Sequence, residues 1–164
     1  MIKFLLGIAI IAFTTFCGYL LGKKYRKRKE FYMQFFLFNE RFLNEITYYR
    51  RPLREFIGKY TYKNEFSLLL ERFIDCADKR LPLKGNLLQG ADFDCIKAES
   101  KSIVEDYFIM LGRGDSVSQK TYFCSMKETL AGMEKEAIDT AKKYGDLYIK
   151  LGFLCGLLVL ILIL

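Results

Sequence analysis

The sequence contains no histidine among its 164 residues. Histidine is the commonest general base in enzymes and one of the usual zinc ligands, so Cys/His zinc sites are impossible and acid–base catalysis loses its usual residue. The Gly-x-x-x-x-Gly-Lys-Ser/Thr loop that binds nucleotide phosphates is also missing. These absences predict that the protein is not an enzyme and that it holds no metal and no cofactor.

Cysteine pairs of the Cys-x-x-Cys type are absent as well. The cysteines are odd in number and loosely spaced, which is typical of reduced thiols in a cytoplasmic compartment. They are Cys17, Cys76, Cys95, Cys124 and Cys155. We interpret them as small apolar residues that fill gaps in packing.

Proline is scarce, with only Pro52 and Pro82. No segment alternates apolar and polar residues with a period of two for long enough to make a sheet. Apolar residues instead recur three, four and seven positions apart over most of the chain, as they do on one face of a helix. The sequence therefore predicts an all-α protein.

Negative charge is missing before Glu30. Seven of the 26 basic residues are Lys3 and the six within positions 23–29, so the 19 that remain balance the 19 acidic residues. The whole net charge of +7 therefore flanks the first apolar segment. This pattern sets membrane orientation by the positive-inside rule. It argues against nucleic acid as a partner, because that function needs a basic surface on the folded domain.

Two stretches carry no charge at all, residues 4–22 and 151–164. As helices they would span about 28 Å and about 21 Å, against an apolar bilayer core of roughly 30 Å. The basic cluster follows the first stretch and no Ala-x-Ala cleavage site is present, which favours an uncleaved transmembrane helix over a signal peptide. The second stretch is short, but Ile149 extends it and Lys150 can snorkel to the interface. A buried core helix and a tail that only dips into the bilayer are the alternatives for it.

These stretches divide the chain into four parts. We predict a transmembrane helix over 1–22, a basic juxtamembrane segment over 23–29, a cytoplasmic helical bundle over 30–148 and a C-terminal transmembrane helix over 149–164. Both ends of the bundle then lie at the same membrane face, so its helices are expected to run up and down.

Break signals predict where the first helices of the bundle begin and end. Pro52 is well placed as the first residue of a short helix. Gly58 is expected to end that helix, and Asn64 is expected to cap the next one. Residues 83–99 give a weak helical pattern, because Gly85 and Gly90 dilute it.

The most informative break is the turn at residues 112–114. Ser116 is a good N-cap for the long helix that follows, and Gln119 stands three residues later, as a capping box requires. A polar turn between two helices points away from the packed interior of a bundle.

Two roles stay open for this turn. In one, Gly112 and Gly114 take unusual backbone angles and the residues around them only shape the turn and cap the helix. In the other, which we predict, Arg113 and Asp115 meet charged groups of a partner.

Two motifs in this chain resemble those of a known family. Leu111-Gly112-Arg113-Gly114-Asp115, with Gln119 four residues on, looks like the family pattern Leu-Gly-Arg-Ser-Asp followed by Gln, with Gly114 in place of the usual Ser. Glu45-Ile46-Thr47-Tyr48 and Pro52-Leu53-Arg54-Glu55 are similar to Glu-Ile-x-Tyr and Pro-Leu-x-Glu. The anchor with its basic flank and the apolar tail match too. Over essentially its whole length the chain resembles the stage III sporulation protein AB family of endospore-forming bacteria.

This resemblance implies a non-enzymatic platform in a secretion-like channel between mother cell and forespore. The family is similar to the cytoplasmic domains of the inner-membrane platform protein of type II secretion and type IV pilus machines. The implied location is the mother-cell membrane facing the forespore, with the chain crossing it more than once. The implied partners are a secretion ATPase like the stage III sporulation protein AA and other channel components. Partner-binding residues are expected at the motif positions Glu45, Pro52, Leu53, Glu55, Arg113, Asp115 and Gln119.

A membrane-anchored regulatory or signalling adaptor unrelated to transport is the alternative function. Membrane lipid is expected around the two apolar segments. The sequence leaves open whether the chain forms a homo-oligomer.

Overall fold

The computed structural model describes the backbone of residues 2–49, 52–111 and 116–163, and the side chains of residues 7–48, 52–111 and 118–162. The described residues form no strand, and the all-α prediction is confirmed for them. The helices are α1 Ile2–Asn44, α2 Leu53–Lys59, α3 Asn64–Asp78, α4 Ala98–Leu111, α5 Ser116–Thr140 and α6 Asp146–Ile163. π-helical turns lie at Glu45–Tyr49 and Ala141–Gly145, and a short 3₁₀ turn lies at Ala91–Phe93.

The chain divides into two compact units. The terminal unit comprises Met1–Lys29 and Glu136–Leu164, and the central unit comprises Glu30–Lys135. α1 and α5 each contribute residues to both units.

The core of the central unit is built around aromatic side chains of α1. Four phenylalanines recur every three or four residues on one face of this helix, and each is at most 6% exposed: Phe31, Phe35, Phe38 and Phe42. The rings of Phe35 and Tyr107, on α4, meet edge-on with centroids 4.7 Å apart. The rings of Phe42 and Phe123, on α5, meet in the same way at 4.9 Å. Edge-on contacts are the geometry that ring quadrupoles favour. Because its aromatic face contacts both α4 and α5, α1 is the central helix of this unit.

One polar side chain, Asn39, lies completely buried within these rings. Its carbonyl oxygen accepts a hydrogen bond from the Tyr107 hydroxyl at 3.0 Å, and its amide nitrogen donates to the main-chain carbonyl of Phe123 at 3.2 Å. Burial raises the pKa of the Tyr107 phenol well above its usual value, so the hydroxyl keeps its proton. Because buried polar groups need partners, this network fixes how α1, α4 and α5 align.

The segment between α3 and α4 has little regular structure, as its glycines predict, but several of its apolar side chains are buried and an arginine of α3 binds it as well. The Arg72 guanidinium donates to the main-chain carbonyl of Gln89 and lies 3.2 Å from the Asp92 carboxylate. The same group stacks 4.9 Å from the centre of the Phe93 ring. This loop is therefore a fixed part of the central unit.

Two predicted helix starts differ in detail from the observed ones. Pro52 precedes α2 instead of being its first residue, and its carbonyl accepts a hydrogen bond from the Phe56 N–H at 3.1 Å. Asn64 does not cap α3. It is the first residue of that helix, has a φ of 52°, and donates a side-chain hydrogen bond to the Glu30 carboxylate. Asparagine tolerates this left-handed conformation better than most residues, which is why the chain can turn there.

Two predicted details near helix ends had different outcomes. α2 continues past Gly58 to Lys59, two residues beyond the predicted end at about Ile57. α5 begins with Ser116 itself, the residue predicted to cap it, so the observed start lies within one residue of the predicted one. The side chain of Ser116 lies outside the described residues, so the capping box with Gln119 stays a prediction.

The terminal unit is a pair of antiparallel helices. Gly7, early in α1, lies against Leu160, late in α6, whereas Gly22 lies against Gly145. The helices therefore run in opposite directions, and the chain enters and leaves this unit at the same end.

Glycines mark the places where these two helices touch. They form a Gly-x-x-x-Gly motif on each helix, Gly18/Gly22 on α1 and Gly152/Gly156 on α6. A Cβ atom built on Gly152 would lie 2.5 Å from the carbonyl oxygen of Thr14, and one built on Gly22 would lie 2.9 Å from that of Gly145. No side chain fits at these distances. Such close backbone contact through small residues is characteristic of helices that associate in membranes.

The π turn at Ala141–Gly145 joins α5 to α6 into a continuous helical run. Among the described residues, this run, Ser118–Leu162, is the one helix long and apolar enough to cross a membrane. α1 is helical over the whole predicted first span, residues 4–22. It does not meet the same criterion within its described part, so the crossing by α1 stays a prediction.

Replacing Tyr107 by Phe tests the buried network. Tyr107→Phe should lower the free energy of unfolding by about 1–3 kcal/mol, because the buried Asn39 carbonyl oxygen loses its donor. Tyr122→Phe is the control, since this half-buried hydroxyl bonds to no other described residue; its change should stay within about 0.5 kcal/mol. Denaturant unfolding measures both. Equal losses would show that the network contributes little.

Gly152→Ala tests the helix contact of the terminal unit. The added methyl group would meet the Thr14 carbonyl, so the thermal midpoint of the full chain in detergent should fall by several degrees. Gly132→Ala is the matched control, because a Cβ on this α5 glycine meets nothing within 4 Å. That variant should gain up to about 1 kcal/mol, as alanine favours helix. Circular dichroism melts that move together for the two variants would contradict the contact.

Candidate docking surface

The motif residues Pro52, Leu53 and Glu55 lie together at the start of α2. Pro52 and Glu55 are exposed, and Leu53 is half-buried. α2 is fastened to the central unit by Phe56, which is completely buried and whose ring lies 5.4 Å from that of Phe38. The first turn of α2 therefore carries the motif side chains on a helix that packs against the core of the central unit.

An apolar groove of about 290 Å³ lies between α2 and α3. Its lining is mainly hydrophobic: Leu53, Ile57, Phe73, Ile74 and Ala77, with Arg54 and Asp78 completing it. Arg54 and Asp78 form an ion pair of 2.5 Å between the two helices. More than half of each side chain is exposed to solvent, so the pair contributes at most about 1 kcal/mol to stability. The Arg54–Asp78 ion pair forms the polar edge of the groove.

Glu45, from the other half of the same motif, lies in a different setting. It is 3% exposed and sits at the start of the π turn Glu45–Tyr49. In the same turn the Thr47 hydroxyl donates to the Leu43 carbonyl at 2.7 Å. The structure thus buries Glu45 inside the central unit, whereas Pro52 and Glu55 are exposed. Its predicted part in partner binding remains untested.

The second motif lies only partly within the described residues. Arg113 and Asp115 fall outside them, so their geometry and their role stay predictions. Gln119 lies in the first turns of α5 and is half-buried.

Sequence reasoning missed the cations and rings beside α2. The Arg41 guanidinium lies 4.3 Å from the centre of the Tyr60 ring and 5.4 Å from that of Tyr62. Burial raises the pKa of the Tyr62 phenol, an effect that the nearby positive charge of Arg41 partly offsets. These residues come from segments about 20 positions apart, and no local pattern joins them. The Arg54–Asp78 pair was missed for the same reason.

Comparison with known families decides the relationship. The family model described as Stage III sporulation protein AB (spore_III_AB) matches residues 3–164. The chain belongs to the stage III sporulation protein AB family. No curated protein and no solved structure matches it. The match extends over both units, and it assigns this member of the family to sporulation.

Within this stage III sporulation protein AB chain, the described residues contain no group of three or more Cys, Asp or Glu side chains placed to hold a metal ion. Among the predicted site residues, Leu53 lines the apolar groove that has the Arg54–Asp78 ion pair at its edge. Such a surface is suited to holding another polypeptide, because apolar side chains fill the groove while the charges orient them.

Proposed function

We propose that this protein is a non-enzymatic membrane platform of a secretion-like sporulation channel. In this proposal the terminal unit crosses the mother-cell membrane facing the forespore twice. The central unit lies in the cytoplasm and docks a secretion ATPase like the stage III sporulation protein AA, together with other channel components.

The family match supports the sporulation role, and the observation that carries the membrane orientation in this proposal is the distribution of charge along the antiparallel helix pair. The contact between Gly22 and Gly145 marks one end of the pair. That end is followed on α1 by the basic cluster of residues 23–29, and Lys142 and Lys143 precede it on the other helix. Lys3 is the one basic residue at the opposite end. Basic residues gathered at one end of both helices favour placing that end in the cytoplasm.

Tyrosines lie at the same level as the basic residues. The ring of Tyr25 stacks on those of Tyr144 and Tyr148, at 5.4 and 5.9 Å. Arg26 lies 4.9 Å from the centre of the Tyr19 ring. Tyrosine and arginine are favoured at the boundary between lipid and water, because each has an apolar part and a polar end. These contacts support a membrane boundary near this end of the pair.

The length of α6 supports a second crossing. Asp146–Ile163 has 18 residues, which span about 27 Å, close to the roughly 30 Å of the apolar core. This helix is longer than the uncharged stretch of the sequence alone, because it begins before Lys150. The helix is then only slightly shorter than the apolar core, and local thinning of the bilayer can absorb the difference.

Cysteine labelling in intact cells tests the orientation. Cys124 is exposed on α5, whereas Cys76 and Cys95 are buried, so Cys124 is the informative thiol of the central unit. A membrane-impermeant maleimide should label Cys124 only after lysis. A C-terminal reporter should be active outside the cytoplasm. Labelling of Cys124 before lysis would exclude the proposed orientation, and a cytoplasmic reporter signal would exclude the second crossing.

The turn between α4 and α5 is where we expect the ATPase to dock. Arg113→Glu or Asp115→Lys should block sporulation while leaving the thermal midpoint of the protein within a few degrees of its original value. The reason is that these side chains are expected to meet charged groups of the partner instead of packing inside the bundle. A fall in stability that matches the loss of sporulation would assign both residues to turn geometry.

Direct binding distinguishes the platform from the alternative, a regulatory or signalling adaptor. The full chain in nanodiscs should bind the purified ATPase in biolayer interferometry and should not hydrolyse ATP by itself. The Arg113→Glu variant should lose that binding, and Lys135→Glu, at an exposed position on α5, should keep it. Absence of binding to the ATPase would favour the adaptor, and stoichiometric nucleotide binding by the chain would overturn the non-enzymatic proposal.

A further inference from the structure

Arg80, just after α3, has a backbone conformation that normally belongs to glycine. Its φ is 53°, in the left-handed region that costs energy for a residue with a Cβ atom. The Leu81 N–H donates to the Cys76 carbonyl at 2.9 Å, and the Arg80 N–H donates to the Ala77 carbonyl at 3.3 Å. These bonds place Arg80 at the C-terminal position where helices most often carry glycine.

The same loop uses glycine for its other left-handed positions, Gly85 at 81° and Gly90 at 98°. The described residues contain one further non-glycine residue with positive φ, Asn64, and its side chain bonds to Glu30. The Arg80 side chain is exposed and forms no hydrogen bond or ion pair with another described residue. The fold would therefore accept glycine at position 80, and the arginine is there for its side chain.

Arg80 lies at the edge of a second groove, of about 380 Å³, at the C-terminal end of α3. Most of its lining is apolar: Phe73, Cys76, Ala77, Leu81, Pro82, Leu83 and Ile109. Leu81 is 47% exposed there. The two charged residues of the lining are Arg80 and Lys84. The groove thus combines an apolar floor with a basic rim.

The carboxylates near this groove already have partners. Asp75 lies 2.8 Å from the Lys79 amine, and Asp78 lies 2.5 Å from the Arg54 guanidinium. Glu105 accepts a hydrogen bond from the main-chain N–H of Gly85 at 3.1 Å. No ion pair joins Arg80 or Lys84 to a carboxylate among the described residues, so their positive charges can interact with a ligand.

We propose that this groove binds an acidic peptide segment of a partner protein, with an apolar side chain in the groove and carboxylates on Arg80 and Lys84. The apolar floor favours a peptide over a free anion or a nucleic acid, because neither of those has an aliphatic side chain to bury. Arginine also matches a carboxylate through two parallel hydrogen bonds. This inference concerns the chemistry of the segment and holds whichever protein of the assembly supplies it.

Selection from a library of random twelve-residue peptides displayed on phage tests this proposal directly. The full chain in detergent is the target, and the selected peptides should be enriched in Asp and Glu next to Leu, Ile or Phe. The affinity of the best synthetic peptide is then measured by fluorescence anisotropy at two salt concentrations. Higher salt should weaken binding, because the contact is partly between charges.

Substitution at position 80 separates binding from folding. Arg80→Gly should weaken peptide binding by at least about tenfold while leaving the thermal midpoint unchanged or raised, since glycine suits the left-handed backbone. Arg80→Lys should keep most of the affinity, and Lys135→Glu should keep all of it. The double change Arg80→Glu with Lys84→Glu should select basic peptides instead.

Several results would overturn the proposal. Peptides without acidic enrichment would do so, as would affinity that Arg80→Gly leaves unchanged. Binding of a single-stranded oligonucleotide or of phosphatidylglycerol vesicles that competes with the peptide and shows the same dependence on Arg80 would assign the groove to nucleic acid or lipid. Loss of ATPase binding with peptide binding intact would contradict the platform proposal and leave the peptide-binding proposal standing.

Discussion

The packing of the central unit depends on the aromatic face of α1. Phe31, Phe35, Phe38 and Phe42 place large rings at successive turns of one helix, and α2, α4 and α5 meet them from different directions. Rings of this size allow few alternative arrangements, since interiors are close-packed. Asn39 adds a polar constraint inside the same face, because it must lie opposite both Tyr107 and a carbonyl of α5. The helices that line the two grooves, α2 and α3, pack on this face through Phe56 and Phe66.

Helical periodicity and break signals predicted most of the secondary structure. The apolar run at residues 35–38 shows what these signals do not determine. All four residues are apolar, but Phe35 and Phe38 are buried, Phe36 is half-buried and Leu37 is 36% exposed. Sequence alone predicts a wide apolar face, whereas the division between core and surface depends on which helices pack there.

The polar residues of the structure were harder to predict. Asn39 looks like a surface residue in the sequence, and Asn64 looks like a cap, because local patterns do not show a partner 84 or 34 residues away. The glycines of the terminal unit were likewise missed as contacts, since a Gly-x-x-x-Gly spacing has meaning only when a second helix lies against it. The resemblance pointed to the motif residues of α2. The groove beside them could not be predicted, because residues of α3 form its other side.

The π turn at Ala141–Gly145 has a consequence for how the length of this chain can vary. Before it, buried residues of the long helix recur every seven positions, at Phe123, Leu130 and Ala137. The next member of that series would be position 144, but the first glycine of this helix that touches α1 is Gly145. A change of one residue in an α-helix normally rotates everything after it by about 100°. A one-residue deletion inside this turn would instead convert it to ordinary α-helix, and the glycines after it would stay on the helix face that meets α1. Relatives that are one residue shorter should therefore lack a residue of this turn.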